Sequence, residues 1–145
     1  MAGNQTADIG GRAVALVLIV EDEEQVRVLA ESYLRGEGHS TLSASTVDEA
    51  LAALDVADGV EILFTDIGLK DDIQGGLKLA KQAVDRRPGL KVLYVTGQSV
   101  TDGMRAMFVE GAAFLEKPYT VDQLQATFVV HFGLRPEAPK FTPVP

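Results

Sequence analysis

The chain's 145 residues suffice for one domain with a single core, and about two thirds of the unfolded surface can be buried at this length without disulfide or metal staples. The lack of cysteine excludes thiol nucleophiles and thiolate metal sites and leaves the redox compartment unread. A net charge of -8 argues against a nucleic-acid surface, which needs a basic stripe, and favours proteins or cations as partners.

Residues 1–12 are small and polar around Gly10-Gly11 and read as a flexible leader. The apolar run Val14 to Val20 predicts a first strand, ending in Glu21-Asp22. It is not a signal-peptide core, because Asp8 precedes it and no small-residue cleavage site follows. No segment approaches the length of a membrane span. Val26, Leu29, Ala30, Tyr33 and Leu34 recur at helical spacing until Gly36 and Gly38 stop the helix. Ser40 to Ala44 is a weak second strand. Thr46 with Glu49 three residues on predicts a capping box for a helix bearing Val47, Ala50, Leu51 and Leu54. Asp58-Gly59 then turns the chain into Ile62-Leu63-Phe64, a run suited to a buried parallel strand, and Asp66 stands at its carboxyl end.

Lys70 to Gly76, with Gly75-Gly76, reads as a loop. A helix is predicted over Leu77 to Arg87, with a stripe of Leu77, Ala80 and Val84, ended by Pro88-Gly89. Leu90 to Val95 is a fourth strand finishing at Thr96-Gly97. A short helix with Met104, Met107 and Phe108 follows, ending at Gly111, and these three side chains are expected in the core or on a partner surface. Ala112 to Glu116 is a fifth strand finishing at Lys117-Pro118. Thr120 or Asp122 can cap a last helix bearing Val121, Leu124, Phe128 and Phe132. The tail from Gly133 holds four of the six prolines and reads as irregular. His39 and His131 have no motif at useful spacing and receive no role.

Five strands alternating with five helices imply a parallel sheet covered on both faces by right-handed crossovers. All strand-to-helix loops then share one edge, which gathers Glu21, Asp22, Asp66, Thr96 and Lys117. Three adjacent carboxylates repel one another, so one is protonated or a hard cation joins them, and Mg²⁺ with its oxygen ligands fits. Such a cation can bring a phosphoryl group to a carboxylate nucleophile. Asp66, alone after its strand, suits that nucleophile. Lys117 and the Thr96 hydroxyl suit phosphate oxygens. Taken singly, these residues read as helix caps, turn formers or solvated loop groups; their joint order carries the signal.

Leu18-Ile19-Val20-Glu21-Asp22-Glu23, Phe64-Thr65-Asp66, Val95-Thr96-Gly97 and Phe114-Leu115-Glu116-Lys117-Pro118-Tyr119 together resemble the receiver domain of two-component response regulators. The resemblance covers about residues 13–132. It implies the flavodoxin-like doubly wound α/β fold with strand order 2-1-3-4-5. It also implies that Asp66 accepts a phosphoryl group from a sensor histidine kinase or histidine phosphotransfer protein. Glu21, Asp22, Asp66 and the Gly68 carbonyl would hold Mg²⁺. Thr96 matches the switch hydroxyl, Lys117 the phosphate-contacting lysine, often followed by a cis Pro118, and Phe114 the switch aromatic that swings inward. Gly68 and Gln98 match variable positions that set water access to the acyl phosphate.

The chain departs from the pattern at Glu21, where Asp is commoner, and at Phe114, which lacks the frequent tyrosine hydroxyl. Its loop Gly68 to Gly76 is lengthened and has no proline. The expected protein is a cytoplasmic, stand-alone receiver that signals through a downstream protein, contacts neither nucleic acid nor membrane, and is a monomer or phosphorylation-dependent dimer. It is expected to assist its own phosphorylation and dephosphorylation without being an enzyme on separate substrates. A docking module that never accepts phosphate and a receiver excised from a hybrid kinase or longer regulator are the alternatives. An aspartyl-intermediate phosphatase would want an acid where Gly68 stands, and a nucleotide binder a glycine loop after the first strand.

Overall fold

The computed structural model describes residues 14–70 and 72–134, so the predicted leader and most of the tail lie outside the described residues. The elements are β1 Leu16–Val20, α1 Glu24–Gly36, β2 Ser40–Ala44, α2 Val47–Val56, β3 Val60–Asp66, α3 Gly75–Arg86, β4 Lys91–Thr96, α4 Asp102–Ala106, β5 Ala113–Glu116 and α5 Val121–Ala126. A π-helical turn, Thr127–His131, continues α5. The five strands form one sheet in the order β2-β1-β3-β4-β5, every pairing parallel. This is the flavodoxin-like doubly wound α/β fold.

Alternation along the strands builds two cores. Leu18, Val20, Leu63 and Tyr94 face α2 and α3, where Ala50, Leu54, Leu77, Ala80 and Ala83 meet them. Their neighbours Val17, Ile19, Ile62, Phe64, Leu93 and Val95 face α1 and α5, against Ala30, Leu34, Leu124 and Phe128. Because successive side chains point to opposite faces, a central strand flanked by two helical layers must be apolar throughout. β3 meets that requirement from Ile62 to Phe64, all buried.

Several local expectations change. Leu29 is not on the buried stripe of α1 but 70% exposed; that stripe is Ala30 and Leu34, with Tyr33 partly buried against the same core. The Thr46 hydroxyl does accept from the Glu49 N–H, but the Glu49 carboxylate reaches past it to the Ser45 N–H and hydroxyl, so the box is offset by one residue. At α5 the reciprocal box closes between Thr120 and Gln123. The predicted fourth helix stops after Ala106: Phe108 turns in to stack on Tyr94 at 4.3 Å between centroids, and the Tyr94 hydroxyl accepts the Val109 N–H. The hydroxyl thereby takes an N–H that a further helical turn would have used.

Gly75 and Gly76 are not loop residues; they open α3. The loop before them closes on itself through paired Leu69 and Asp72 backbone hydrogen bonds, and the Asp72 carboxylate accepts from Gln74 N–H and the Lys78 ammonium. A negative charge before a helix N-terminus is favourable.

After α5 the wide π turn bonds Phe132 N–H to Thr127 O, and Leu134 N–H returns to Phe128 O. Phe128, Phe132 and Leu134 are thereby all buried on the α1 side. Leu134 lines a small cavity with Tyr33, Leu34, Glu37 and His39. His39, buried, accepts the Ala15 N–H at Nδ1 and packs on Phe128.

Arg87 joins the two helices of the other layer. From the end of α3 it donates to the Leu54, Ala57 and Asp58 carbonyls, which the end of α2 leaves without helical partners. Arg87→Ala is expected to cost about 2 kcal/mol, the range for charge-assisted hydrogen bonds to otherwise orphaned carbonyls. A lowered urea midpoint with an unchanged slope is the expected signature.

Candidate functional site

Parallel strands deliver their carboxyl ends to one rim, and five of the predicted site residues are there. Glu21 and Asp22 follow β1, Asp66 ends β3, Thr96 ends β4 and Lys117 follows β5. Backbone hydrogen bonds carry the register past the strands: Glu21 N–H to Ala44 O, Ile67 N–H to Val95 O, and Lys117 N–H to Thr96 O. β1 and β3 are neighbours, so Glu21 and Asp66 lie side by side at the point where the strand order reverses.

The Lys117 ammonium lies between the two acids, 2.8 Å from Glu21 Oε1 and 3.1 Å from Asp66 Oδ2. Ligand oxygens of Glu21, Asp22 and Asp66 all fall within 4.8 Å of one another. Glu21 Oε2 also accepts the Glu23 N–H, and Arg27 reaches back from α1 to the Glu21 carbonyl at 2.9 Å. Thr96 is buried and its hydroxyl accepts the Gln98 N–H. The Lys117–Pro118 bond is cis. A cavity of about 520 Å³ above Asp66 is lined by Gly68, Thr96, Gln98, Met104 and Lys117 among others. Asp22 lies apart from that lining, on a second depression with Ser45, Lys70 and Asp72. Phe114 is two pleat positions below the rim, half-buried, beside Phe108.

The electrostatics follow from burial. Burial, reinforced by the Glu21 charge, pushes the Asp66 carboxyl up to about 7 against the pull of Lys117. At Glu21 burial also works upward, but the Lys117 bond and charge and the Glu23 N–H together bring the carboxyl below its ordinary value. Lys117 loses by burial and gains more from the two acids, so it stays above its ordinary value. The rim therefore holds excess negative charge that one lysine only partly neutralises.

Lys117→Ala would remove the only cation touching both acids among the described residues. With both carboxyls then titrating higher, the variant's stability deficit should be larger at pH 8, where the acids are charged, than at pH 5. Urea midpoints at the two pH values check this.

Sequence reasoning missed Arg27, and also Glu116, whose carboxylate accepts the Val100 N–H and ties down the loop after Thr96. Neither has a local signal, since both act across elements. The close approach of Gly76 to the backbone beneath Asp66 has no local signal either. A Cβ there would stand 1.8 Å from the Asp66 carbonyl oxygen.

The sequence pattern described as "Response regulator receiver domain" matches residues 17–129. The chain belongs to the response regulator receiver domain family. Among its relatives is the nitrogen assimilation regulatory protein NtrX of Azorhizobium caulinodans, 32% identical over 109 residues, covering 74% of this chain and 24% of that protein. The sensor kinase CckA of Brucella abortus is 28% identical over 125 residues, covering 85% of this chain and 13% of the kinase. The receiver thus spans about a quarter or less of these relatives' length. A CheY-like receiver domain protein from Methanospirillum hungatei superposes with a TM-score of 0.65 at 27% identity, over 77% of this chain and 88% of that one. No helix among the described residues is long and apolar enough to cross a membrane.

Proposed function

We propose that the receiver accepts a phosphoryl group on Asp66 from a phosphohistidine of a histidine kinase or phosphotransfer protein and signals through a downstream protein partner. The observation that carries the reading is the convergence of Asp66, Glu21 and Lys117 within hydrogen-bond reach. In the transfer an Asp66 carboxylate oxygen forms a bond to phosphorus as the P–N bond breaks, and the imidazole nitrogen leaves with the electron pair and takes a proton. The oxygen-only donor set of Glu21, Asp22 and Asp66, with the Gly68 carbonyl, fits Mg²⁺. Bound there, the ion would supply charge stabilisation to the transferring phosphoryl oxygens. Lys117 can exchange a carboxylate partner for a phosphate oxygen, and the Thr96 hydroxyl, which now accepts the Gln98 N–H, can donate to another. Phe114 is the ring that answers Thr96.

The placement is cytoplasmic, where such donors work. A receiver that forms one part of a longer regulator or hybrid kinase is the second reading, favoured by the small share of NtrX and CckA that the match covers. Incubation with a small acyl phosphate and Mg²⁺, followed by mass analysis of the peptide holding Asp66, tests the reading. Phosphoryl label on Asp66 is expected. Folded, unlabelled protein would replace it with a docking module.

A further inference from the structure

We infer that Arg105 and Phe108 are positioning residues that hold the Phe114 ring in its resting place, a cation and a second ring acting where a tyrosine hydroxyl is absent. The inference rests on the reading of Phe114 as the switch ring. Phenylalanine has no polar handle, so no hydrogen bond can hold its ring at either end of a swing.

The register pairs Tyr94 with Phe114 and Thr96 with Glu116, which puts Phe114 on the same sheet face as Thr96, beside Tyr94. Phe108 stacks on Tyr94 at 4.3 Å and meets Phe114 at 5.8 Å. Phe114 therefore cannot move toward β4 without displacing Phe108. That ring is itself anchored, since the next residue, Val109, donates its N–H to the Tyr94 hydroxyl. On another side the Arg105 guanidinium carbon stands 4.9 Å from the Phe114 ring centroid. Among the described residues Arg105 enters no ion pair, so its charge is not committed to a carboxylate. Positions 105 and 108 are thus two grips on one ring, from α4 and from the turn that follows it. A cation over an aromatic face at an exposed site shifts an equilibrium by roughly two- to fivefold.

The test uses protein with ¹³C-labelled phenylalanine rings, unphosphorylated, in the wild type, Arg105→Gln, Arg105→Lys and Phe108→Leu. NMR cross-relaxation from the Phe114 ring to Arg105 and Phe108, with χ1 populations from three-bond couplings, reads the ring's position. Arg105→Gln is expected to raise the minor Phe114 rotamer about two- to fivefold. Arg105→Lys should restore most of the wild-type population because it keeps the charge, a rescue that a merely space-filling role would not show. Phe108→Leu should shift the population in the same direction as Arg105→Gln. Identical Phe114 populations in wild type and Arg105→Gln, or Lys behaving as Gln does, would overturn the inference. The rotamer readout needs no phosphate. Failure of acyl phosphate to label wild-type Asp66 would count against the acceptor reading alone, and the resting-state comparison would still decide the inference.

Discussion

Asp66→Asn is expected to lose phosphoryl incorporation entirely and, in the absence of divalent cation, to be more stable than the wild type at pH 8. The loss follows from chemistry: an amide has no carboxylate oxygen to attack phosphorus, and the volume barely changes. The gain follows from linkage. The Asp66 carboxyl lies near 7 in the folded state against an ordinary 3.8, so the folded protein binds the proton more tightly between about pH 4 and pH 7. Where the native state holds the extra proton, stability falls as pH rises, and above about 7 the full penalty remains, at most about 4 kcal/mol. Glu21 has the opposite sign, contributing stability above its ordinary 4.5 that is lost at lower pH, so its window lies below that of Asp66. Urea melts of wild type and variant at pH 5 and pH 8 separate the two. The variant's advantage should be large at pH 8, shrink at pH 5, and narrow when Mg²⁺ is added to neutralise the same repulsion. Equal labelling of variant and wild type would remove Asp66 from the acceptor role.

Gly76→Ala should be among the most damaging single substitutions in the chain. The added Cβ would meet the Asp66 carbonyl oxygen at 1.8 Å and the Asp66 carbonyl carbon and Ile67 Cα at 2.8 Å, all backbone atoms without a rotamer to turn. The same residue's N–H donates to the Ile67 carbonyl at 2.7 Å, so α3 cannot simply slide away. A loss of about 3 kcal/mol or more is expected, a large part of the roughly 5–15 kcal/mol that holds a domain together. Gly75→Ala is the control. Its Cβ would meet Leu69 Cβ and Cδ1 at 3.3 Å, a crowding that a shift of a few tenths of an ångström in the loop relieves, and a change within about 1 kcal/mol is expected. Gly76→Ala should also depress labelling of Asp66, because relief of the clash displaces the strand end carrying the carboxylate. Chemical denaturation and acyl-phosphate labelling of the pair check both parts.

The contrast between these two glycines shows what could be read from the chain and what could not. Adjacent glycines are local punctuation, and local reasoning placed them in a loop; that one lets a helix start against a strand end is a long-range fact with no local trace. The same division runs through the fold. The apolar run before Asp66 was readable because a buried parallel strand needs no alternation, and Thr96 and Lys117 were readable because strand ends share a rim once the topology is parallel. α4 was overextended because the helical spacing of Met104, Met107 and Phe108 competes with the stack that Phe108 makes on Tyr94, a partner on another strand. Leu29 was placed inside by periodicity, which gives the direction of a face but not its width. Among the residues that meet at the rim, Asp66, Glu21 and Lys117 could be found from their order along the chain. Arg27 and Glu116 could not, because each reaches a backbone group whose position depends on the finished structure.

The widened turn after α5 fixes the seat of Leu134. Leu134 is seated beside Tyr33, Leu34 and His39, next to the points where β1 and β2 begin, whereas Asp66 stands where β3 finishes. The five residues of β1 at about 3.3 Å each put roughly 17 Å between those two rims. A fluorophore or fusion partner joined directly after Leu134 would therefore begin on the pole remote from the carboxylates.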